Sequence, residues 1–435
     1  MKNLLLILIL SLMAVLTASA QQIKMSPFEQ RANDLISVLN DPKDLDKVFA
    51  PDFLAQVPPA QVVEISKKLL ADFGKAVKIA KLTPKSEFSG TISVLFEKNI
   101  IAQMNLNVEE KPPHLINGLL ITATEKTSAS LEEIVGEMKK LPGTTALTVA
   151  KLNGKDMQPL VSHNADKPLA IGSTFKLYIL SELVRSIAAG ERKWSDVVEL
   201  NESSLPSGMM QDWGKGSSVT LNTLASMMIS ISDNTATDQL LTTLGREKVE
   251  RMMTTAGNSN PALSLPFLKT VEMFKLKGSA KQKLAEVYLA KDVAGKRAML
   301  ANEIAAFKKE DINFADFLVK PTYISQLEWF ATTDDLARLM NWLRMNTEKS
   351  PTDKARDVLT INKALSADEA KNWNYIGYKG GSETGVISLT YLLQSKKSEW
   401  FVVSGSWNDE KSRVNDLEFV NLMQKTVMLL REKTP

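Results

Sequence analysis

Apolar positions along this chain change period several times, and the changes mark out its organisation. Over residues 26–40 and 59–74 they recur at helical spacing. Ser26-Pro27-Phe28-Glu29 starts the first helix, with a capping serine, a proline at the first helical position and Glu29 able to reach back. Residues 77–82, 91–96, 100–108 and 118–124 then read as strands, with Glu97-Lys98-Asn99 as a hairpin turn between two of them. Helices followed by a run of antiparallel strands predict a small α+β domain with a curved sheet, residues 21–125. After a short polar joint, Ser130-Leu131-Glu132-Glu133 starts another helix, and a second domain, 126–435, begins. Its predicted order is a helix to about 141, strands over 145–152 and 158–163, a helix from Ser173 and a largely helical middle. Strands over 386–393 and 400–406 and a closing helix over 414–431 complete it. Leu284, Val287, Tyr288, Leu300, Ile304 and Phe307 predict two amphipathic helices within 279–318.

Composition narrows the function classes. At 44% hydrophobic and 24% charged residues, the chain is rich enough in apolar side chains for two sizeable cores. Fifty-three basic against 50 acidic residues leave a formal charge of +3, which gives no reason to expect a nucleic-acid partner. There is no cysteine, so a thiolate nucleophile and a disulfide framework are excluded. The only histidines are His114 and His163, too few for a histidine-built metal site; no cofactor is implied. Lys2, the apolar run 4–16 and Ala18-Ser19-Ala20 have the three parts of a secretory signal peptide, residues 1–20. The expectation is export to the periplasm or medium, without a membrane anchor.

The chemistry centres on Ile171-Gly172-Ser173-Thr174-Phe175-Lys176-Leu177. Pro168 disfavours helix at Lys167, and Phe175, Leu177, Leu180 and Val184 follow at helical spacing. Ser173 is therefore placed at a helix start, where free backbone N–H groups favour an oxyanion. Lys176, three residues on, shares its face, and a desolvated lysine can deprotonate a serine. Ser232-Asp233-Asn234 follows a segment, 220–231, whose Leu221, Leu224, Met228 and Ile231 form one apolar face. Lys379-Gly380-Gly381 stands before the 386–393 strand. Ser-x-x-Lys, Ser-Asp-Asn and a Lys-Gly-Gly variant of Lys-(Thr/Ser)-Gly, in that order, resemble the penicillin-recognising serine hydrolases, meaning class A β-lactamases and penicillin-binding proteins.

That resemblance implies an α/β, β-lactamase-like second domain: an antiparallel sheet built from both ends, helices around it and a helical insertion. The two-domain layout resembles the clavulanic-acid-pathway type, with a steroid-isomerase-like or cystatin-like N-terminal domain. Stretches similar to that group are Thr270-Val271-Glu272-Met273-Phe274, Glu328-Trp329-Phe330-Ala331 and Tyr378-Lys379-Gly380-Gly381-Ser382-Glu383. The roles implied are Ser173 as nucleophile, Lys176 as base, Ser232 as proton relay and Lys379 as the group favouring its alkoxide. Asn234 would orient Lys176 and a substrate amide. Ser173 and Ser382 N–H groups would form the oxyanion hole, with Gly381 letting the backbone come close.

Two departures bear on the substrate. The class A Glu-x-x-Leu-Asn element that activates the deacylating water is absent, Glu272 being the glutamate at a broadly similar distance. Gly380 replaces the hydroxyl residue that grips a β-lactam carboxylate, and Ser382 can substitute only in part. The expectation is a serine hydrolase acting on a small-molecule ester, amide or β-lactam-like substrate. Three alternatives stay open: a true β-lactamase with another deacylating group, an exported binding protein without turnover, and a Ser-His-Asp hydrolase using His163. The insertion reads equally as a structural hairpin or a substrate lid.

Overall fold

The computed structural model describes residues 25–126, 130–205, 207–279 and 282–432. The signal-peptide reading, residues 1–20, lies outside them. The chain divides into two compact units with the boundary between Ala129 and Ser130.

The first unit carries helix α1 (Pro27–Asn40), a short helix Pro51–Gln56 and α2 (Pro59–Phe73). The Ser26 hydroxyl accepts from Glu29 N at 3.2 Å and the Glu29 carboxylate accepts from Ser26 N at 2.9 Å, closing the capping box read in the sequence. Four strands follow as an antiparallel meander: β1 (Ala76–Ser86), β2 (Ser89–Phe96), β3 (Ile100–Val108) and β4 (Ile116–Lys126). Alternation buries Ile92, Val94 and Phe96 of β2 and Ala102, Met104, Leu106 and Val108 of β3 in one core with Phe28, Ala32 and Leu35 of α1. The edge strand β1 is mostly exposed and is longer than the predicted 77–82. His114 lies in the loop before β4 with a left-handed backbone (φ 59), its Nδ1 3.0 Å from Glu109 O.

In the second unit α3 (Leu131–Met138), capped by the Ser130 hydroxyl, leads into β5 (Thr144–Asn153) and β6 (Asp156–His163). Helices α4 (Lys176–Ala188), α5 (Leu221–Ser230), α6 (Asn234–Leu244), α7 (Thr270–Lys277) and α8 (Thr333–Asn346) form most of the middle. Strands β7 (Tyr375–Glu383), β8 (Val386–Gln394) and β9 (Trp400–Asn408) and helix α9 (Asp416–Glu432) end the chain. The sheet order is β7-β8-β9-β5-β6, antiparallel throughout, so β9 and β5 join the two ends of the unit. The central strands β5, β8 and β9 are buried on both faces, while the edge strand β6 is largely open. Leu131, Ile134, Phe419 and Met423 of α3 and α9 pack on Leu147, Val149 and Val403, while Leu177, Leu180 and Leu336 of α4 and α8 share a core with Ala150, Leu392 and Val402.

Three expectations need correction. Lys379-Gly380-Gly381 stands before the Val386–Gln394 strand as read, but itself lies inside a further strand, β7, which the periodicity missed because its three glycines depress strand propensity. Ile231 is not on the buried face of the 220–231 segment; α5 ends at Ser230 and Ile231 is 44% exposed. Within 279–318 the two predicted helices are short, Leu284–Leu289 and Val293–Met299, the second running on as a wide turn over Leu300–Ile304. Val287 of the first faces solvent.

Candidate active site

Ser173 sits in a tight turn, Gly172–Phe175, that feeds directly into α4. Gly172 makes that turn possible with φ +45, a conformation other residues rarely adopt. Phe175 locks the turn from below, stacked on Trp329 at 3.7 Å and edge-on to Phe267 at 5.6 Å. Ser173 is half-buried in the wall of a pocket of about 600 Å³, which Ser232, Asn234, Lys379 and Ser382 also line.

Lys176 is the first residue of α4 and is wholly buried. Its ammonium nitrogen lies 2.7 Å from Asn234 Oδ1, 2.7 Å from Ser232 O and 3.0 Å from Ser232 Oγ. Lys379 reaches the same hydroxyl from β7, donating to Ser232 Oγ at 3.0 Å and to Gly380 O. Two buried lysines thus converge on one serine, and every oxygen they touch is neutral. Burial first, and the positive charge of Lys379 second, hold the Lys176 pKa well below the lysine range, against weaker pull from Asp238 and Asp233. Burial pushes Lys379 down to about 7.

Ser232 holds its place at a backbone cost. Its φ is +58, in the left-handed region that a serine rarely occupies. Asp233, fully buried, offsets this: its carboxylate caps α6 by accepting from Ala236 N and also accepts from Met209 N and Met210 N. Gly208 leaves the necessary room, since any Cβ there would lie 2.2 Å from that carboxylate. Asn234 Oδ1 orients Lys176, but its Nδ2 donates to Leu205 O at 3.0 Å, so that donor is already engaged.

Gly381 and Gly172 form the seam between β7 and the Ser173 turn. A Cβ on Gly381 would stand 2.3 Å from Ser173 N, and one on Gly172 would stand 3.1 Å from Ser382 N. The two amide nitrogens therefore flank one close backbone approach, beside the Ser173 side chain.

Glu272 is not part of this pocket. It accepts from both terminal nitrogens of Arg246, at 2.6 and 2.9 Å, and caps α7 through Lys269 N at 2.7 Å. The pocket-lining residues of α7 are instead Thr270, Met273 and Phe274, none with a carboxylate. Thr270 is anchored by Asp238, whose carboxylate accepts from Thr270 N, Thr270 Oγ1 and Val271 N; burial still pushes Asp238 up to about 6. His163, on β6, does not line the pocket and is 3.1 Å from Thr145 Oγ1.

Sequence reasoning missed a second ionic cluster. Lys277 of α7 is buried between Glu328 and Glu383, bonded to the first and 2.7 Å from the second. Glu383 lines the pocket, directly after Ser382. Burial pushes Glu328 well above the carboxylate range, and the charge of Glu383 adds to it.

Residues 126–328 match the β-lactamase enzyme family. The second unit has a β-lactamase-like α/β fold, an antiparallel sheet with helices around it. Similar solved structures include a β-lactamase from Sphaerobacter thermophilus, 18% identical, TM-score 0.48, covering 70% of this chain and 97% of that one. A β-lactamase from Francisella tularensis is 12% identical with TM-score 0.49, covering 70% and 99%. A structure titled PBP-A is 16% identical with TM-score 0.46, covering 71% and 98%. Among curated proteins no match is found.

Proposed function

We propose that the protein is an exported serine hydrolase that forms an acyl-enzyme at Ser173 on small esters or amides, β-lactam-like ones included. The observation that carries this reading is the convergence of two buried, carboxylate-free lysines on Ser232 Oγ beside Ser173. A lysine so placed gives up its proton far more readily than a free lysine and can accept the Ser173 proton as the hydroxyl oxygen attacks a carbonyl carbon. Ser173 N and Ser382 N receive the developing oxyanion, a contribution of roughly 3–4 kcal/mol per donor. Ser232 passes the proton on to the leaving group, its own alkoxide character favoured by Lys379. Water then cleaves the acyl-serine.

The pocket supports slow breakdown of bulky adducts, because α7 offers it a threonine, a methionine and a phenylalanine where a water-activating carboxylate would be needed. Small acyl groups leave room for water beside Lys176. We expect nitrophenyl acetate to turn over a hundred- to a thousandfold faster than benzylpenicillin, about 3–4 kcal/mol in barrier. Export by residues 1–20, a periplasmic or secreted location and the kinship to the clavulanic-acid-pathway type belong to this proposal.

A fluorophosphonate and a fluorescent penicillin, followed by mass spectrometry, test it. The expected adduct is on Ser173 and vanishes in Ser173→Ala, which stays folded because the serine makes no cap. Loss of labelling in His163→Ala, or an adduct that persists in Ser173→Ala, overturns it.

A further inference from the structure

We infer that the buried ionic cluster of Lys277, Glu328 and Glu383 is a strut that fixes the spacing of the two oxyanion donors, Ser173 N and Ser382 N. Its members are then positioning residues for acylation. The inference rests on the hydrolase reading for its effect on rate, though not for its effect on the backbone.

Successive residues of a strand point to opposite faces, so Lys379, Gly381 and Glu383 of β7 share one. That face is turned to Ser232, which Lys379 reaches, and to the Ser173 turn, which Gly381 nearly touches. Among the described residues no hydrogen bond joins residues 379–383 to the turn Gly172–Phe175. The close approach at Gly381 and Gly172 resists compression, but van der Waals contact alone resists separation weakly. Another connection has to hold Ser382 N at its distance from Ser173 N.

The cluster closes that path. Trp329, the residue after Glu328, accepts from Ile171 N through its carbonyl at 3.0 Å and stacks on Phe175 at 3.7 Å, so it grips the turn on both sides of Ser173. Phe330 and Ala331 then pair with Ala170 and Leu169. Glu328 is thereby fixed to the serine turn, while Glu383 directly follows Ser382 on β7. Lys277 bonds both carboxylates, so one ammonium group joins the two halves of the oxyanion hole. The Lys277 and Glu328 side chains are buried, where solvent screens the pair little. Lys277 also ends α7, a rod of eight residues or about 12 Å, whose first residue is held by Asp238 of α6. Helix α6 starts at Asn234, the residue that orients Lys176. The base and both donors are thus set in one frame.

Exchanging sulfur for oxygen reads the hole itself. Nitrophenyl acetate and its thiono analogue, with sulfur as the carbonyl atom, differ only in the atom the two N–H groups receive. Glu383→Ala cuts the strut at its most exposed member and leaves Lys277 bonded to Glu328. The acylation rate with the acetate should fall about ten- to a hundredfold, with half-saturation of the acyl burst within about twofold. The preference for oxygen over sulfur should shrink by a similar factor. Glu383→Gln keeps an acceptor for Lys277 and should restore most of both. Glu272→Gln, which breaks the Arg246 pair of α7 instead, should leave the preference unchanged. Amide hydrogen exchange over residues 171–175 and 380–384 should quicken in Glu383→Ala while β5 and β9 exchange as before, and Glu383→Gln should slow it again. An unchanged oxygen preference, or unchanged exchange in those two segments, overturns the strut whatever happens to the rate. If wild-type Ser173 resists the fluorophosphonate, the hydrolase reading fails instead, and the exchange comparison alone decides the role of the cluster.

Discussion

Lys176 and Lys277 are both fully buried lysines, both hydrogen-bonded several times over, and they differ only in what they bond to. Around Lys176 the acceptors are a hydroxyl, a carbonyl and an amide, and the charge that acts on it most is the cation Lys379. Around Lys277 they are two carboxylates. Burial disfavours the charge of each. For Lys176 the pull of Asp238 and Asp233 is too weak to offset it and the pKa falls; for Lys277 the charges of Glu328 and Glu383 outweigh it and the pKa rises. Burial alone does not make a base. The lysine that can accept a proton is the one left without a counter-ion, and the other ties α7 and β7 together where Glu383 meets the pocket.

Substitution at the two lysines should separate the roles. Lys176→Arg keeps a permanent charge that cannot accept the Ser173 proton, so acylation should fall about a thousandfold or more. Stopped-flow acylation by a chromogenic cephalosporin measures this, and a near-normal rate would remove Lys176 from the role of base. Lys277→Met leaves the buried Glu328 and the half-buried Glu383 without a cation and should cost about 3 kcal/mol, read from urea unfolding. Replacing Glu328 and Glu383 by glutamine in the same chain should return part of it. A stable Lys277→Met protein would mean that the cluster contributes little.

The pH profile gives a smaller contrast. With Lys379 at about 7 and Lys176 well below its ordinary range, the pair loses a proton as pH rises through neutrality. The base form grows with pH, so acylation should climb through about pH 7 and level off above it. Lys379→Met removes the positive neighbour, raises the Lys176 pKa and should move the rising limb to more alkaline pH, beyond its effect on rate. For stability the signs are opposite. The Lys379 pKa is depressed from 10.5, so the unfolded chain binds more protons between about 7 and 10.5 and stability gains over that window. The Lys277 pKa is raised, so its contribution is complete below 10.5 and fades only as pH passes its folded value. The smallest effect is expected at Glu272. Glu272→Gln should lower stability by about 1 kcal/mol through the Arg246 pair and the α7 cap, and leave penicillin turnover within twofold. A large loss of turnover would return Glu272 to the chemistry.

How far the site could be read in advance follows from the range of each contact. Ser173 and Lys176 share a face at spacing three, and Ser232 and Asn234 are two residues apart, so local geometry was visible in the order of letters. The Ser26 capping box and the alternation of β2 were legible for the same reason. Ile231 was misplaced because periodicity records a face but not where a helix stops. Strand β7 was missed because Gly377, Gly380 and Gly381 weaken its propensity; it is held by full pairing with β8.

By itself, then, the sequence determined which short segments fold and in what order the reactive groups occur, because helix periods, caps and strand alternation act over a few residues. Tertiary structure alone decided their charge states and their room. Lys379 reaches Ser232 across 147 residues, and Lys277 reaches Glu383 across 106. Only that packing assigns one lysine a neutral shell and the other two carboxylates. The glycines tell the same story at closer range. Gly381 exists for the backbone of Ser173, and Gly380 for the ring of Tyr378. The need for each lies in a neighbour's volume, which no local pattern encodes.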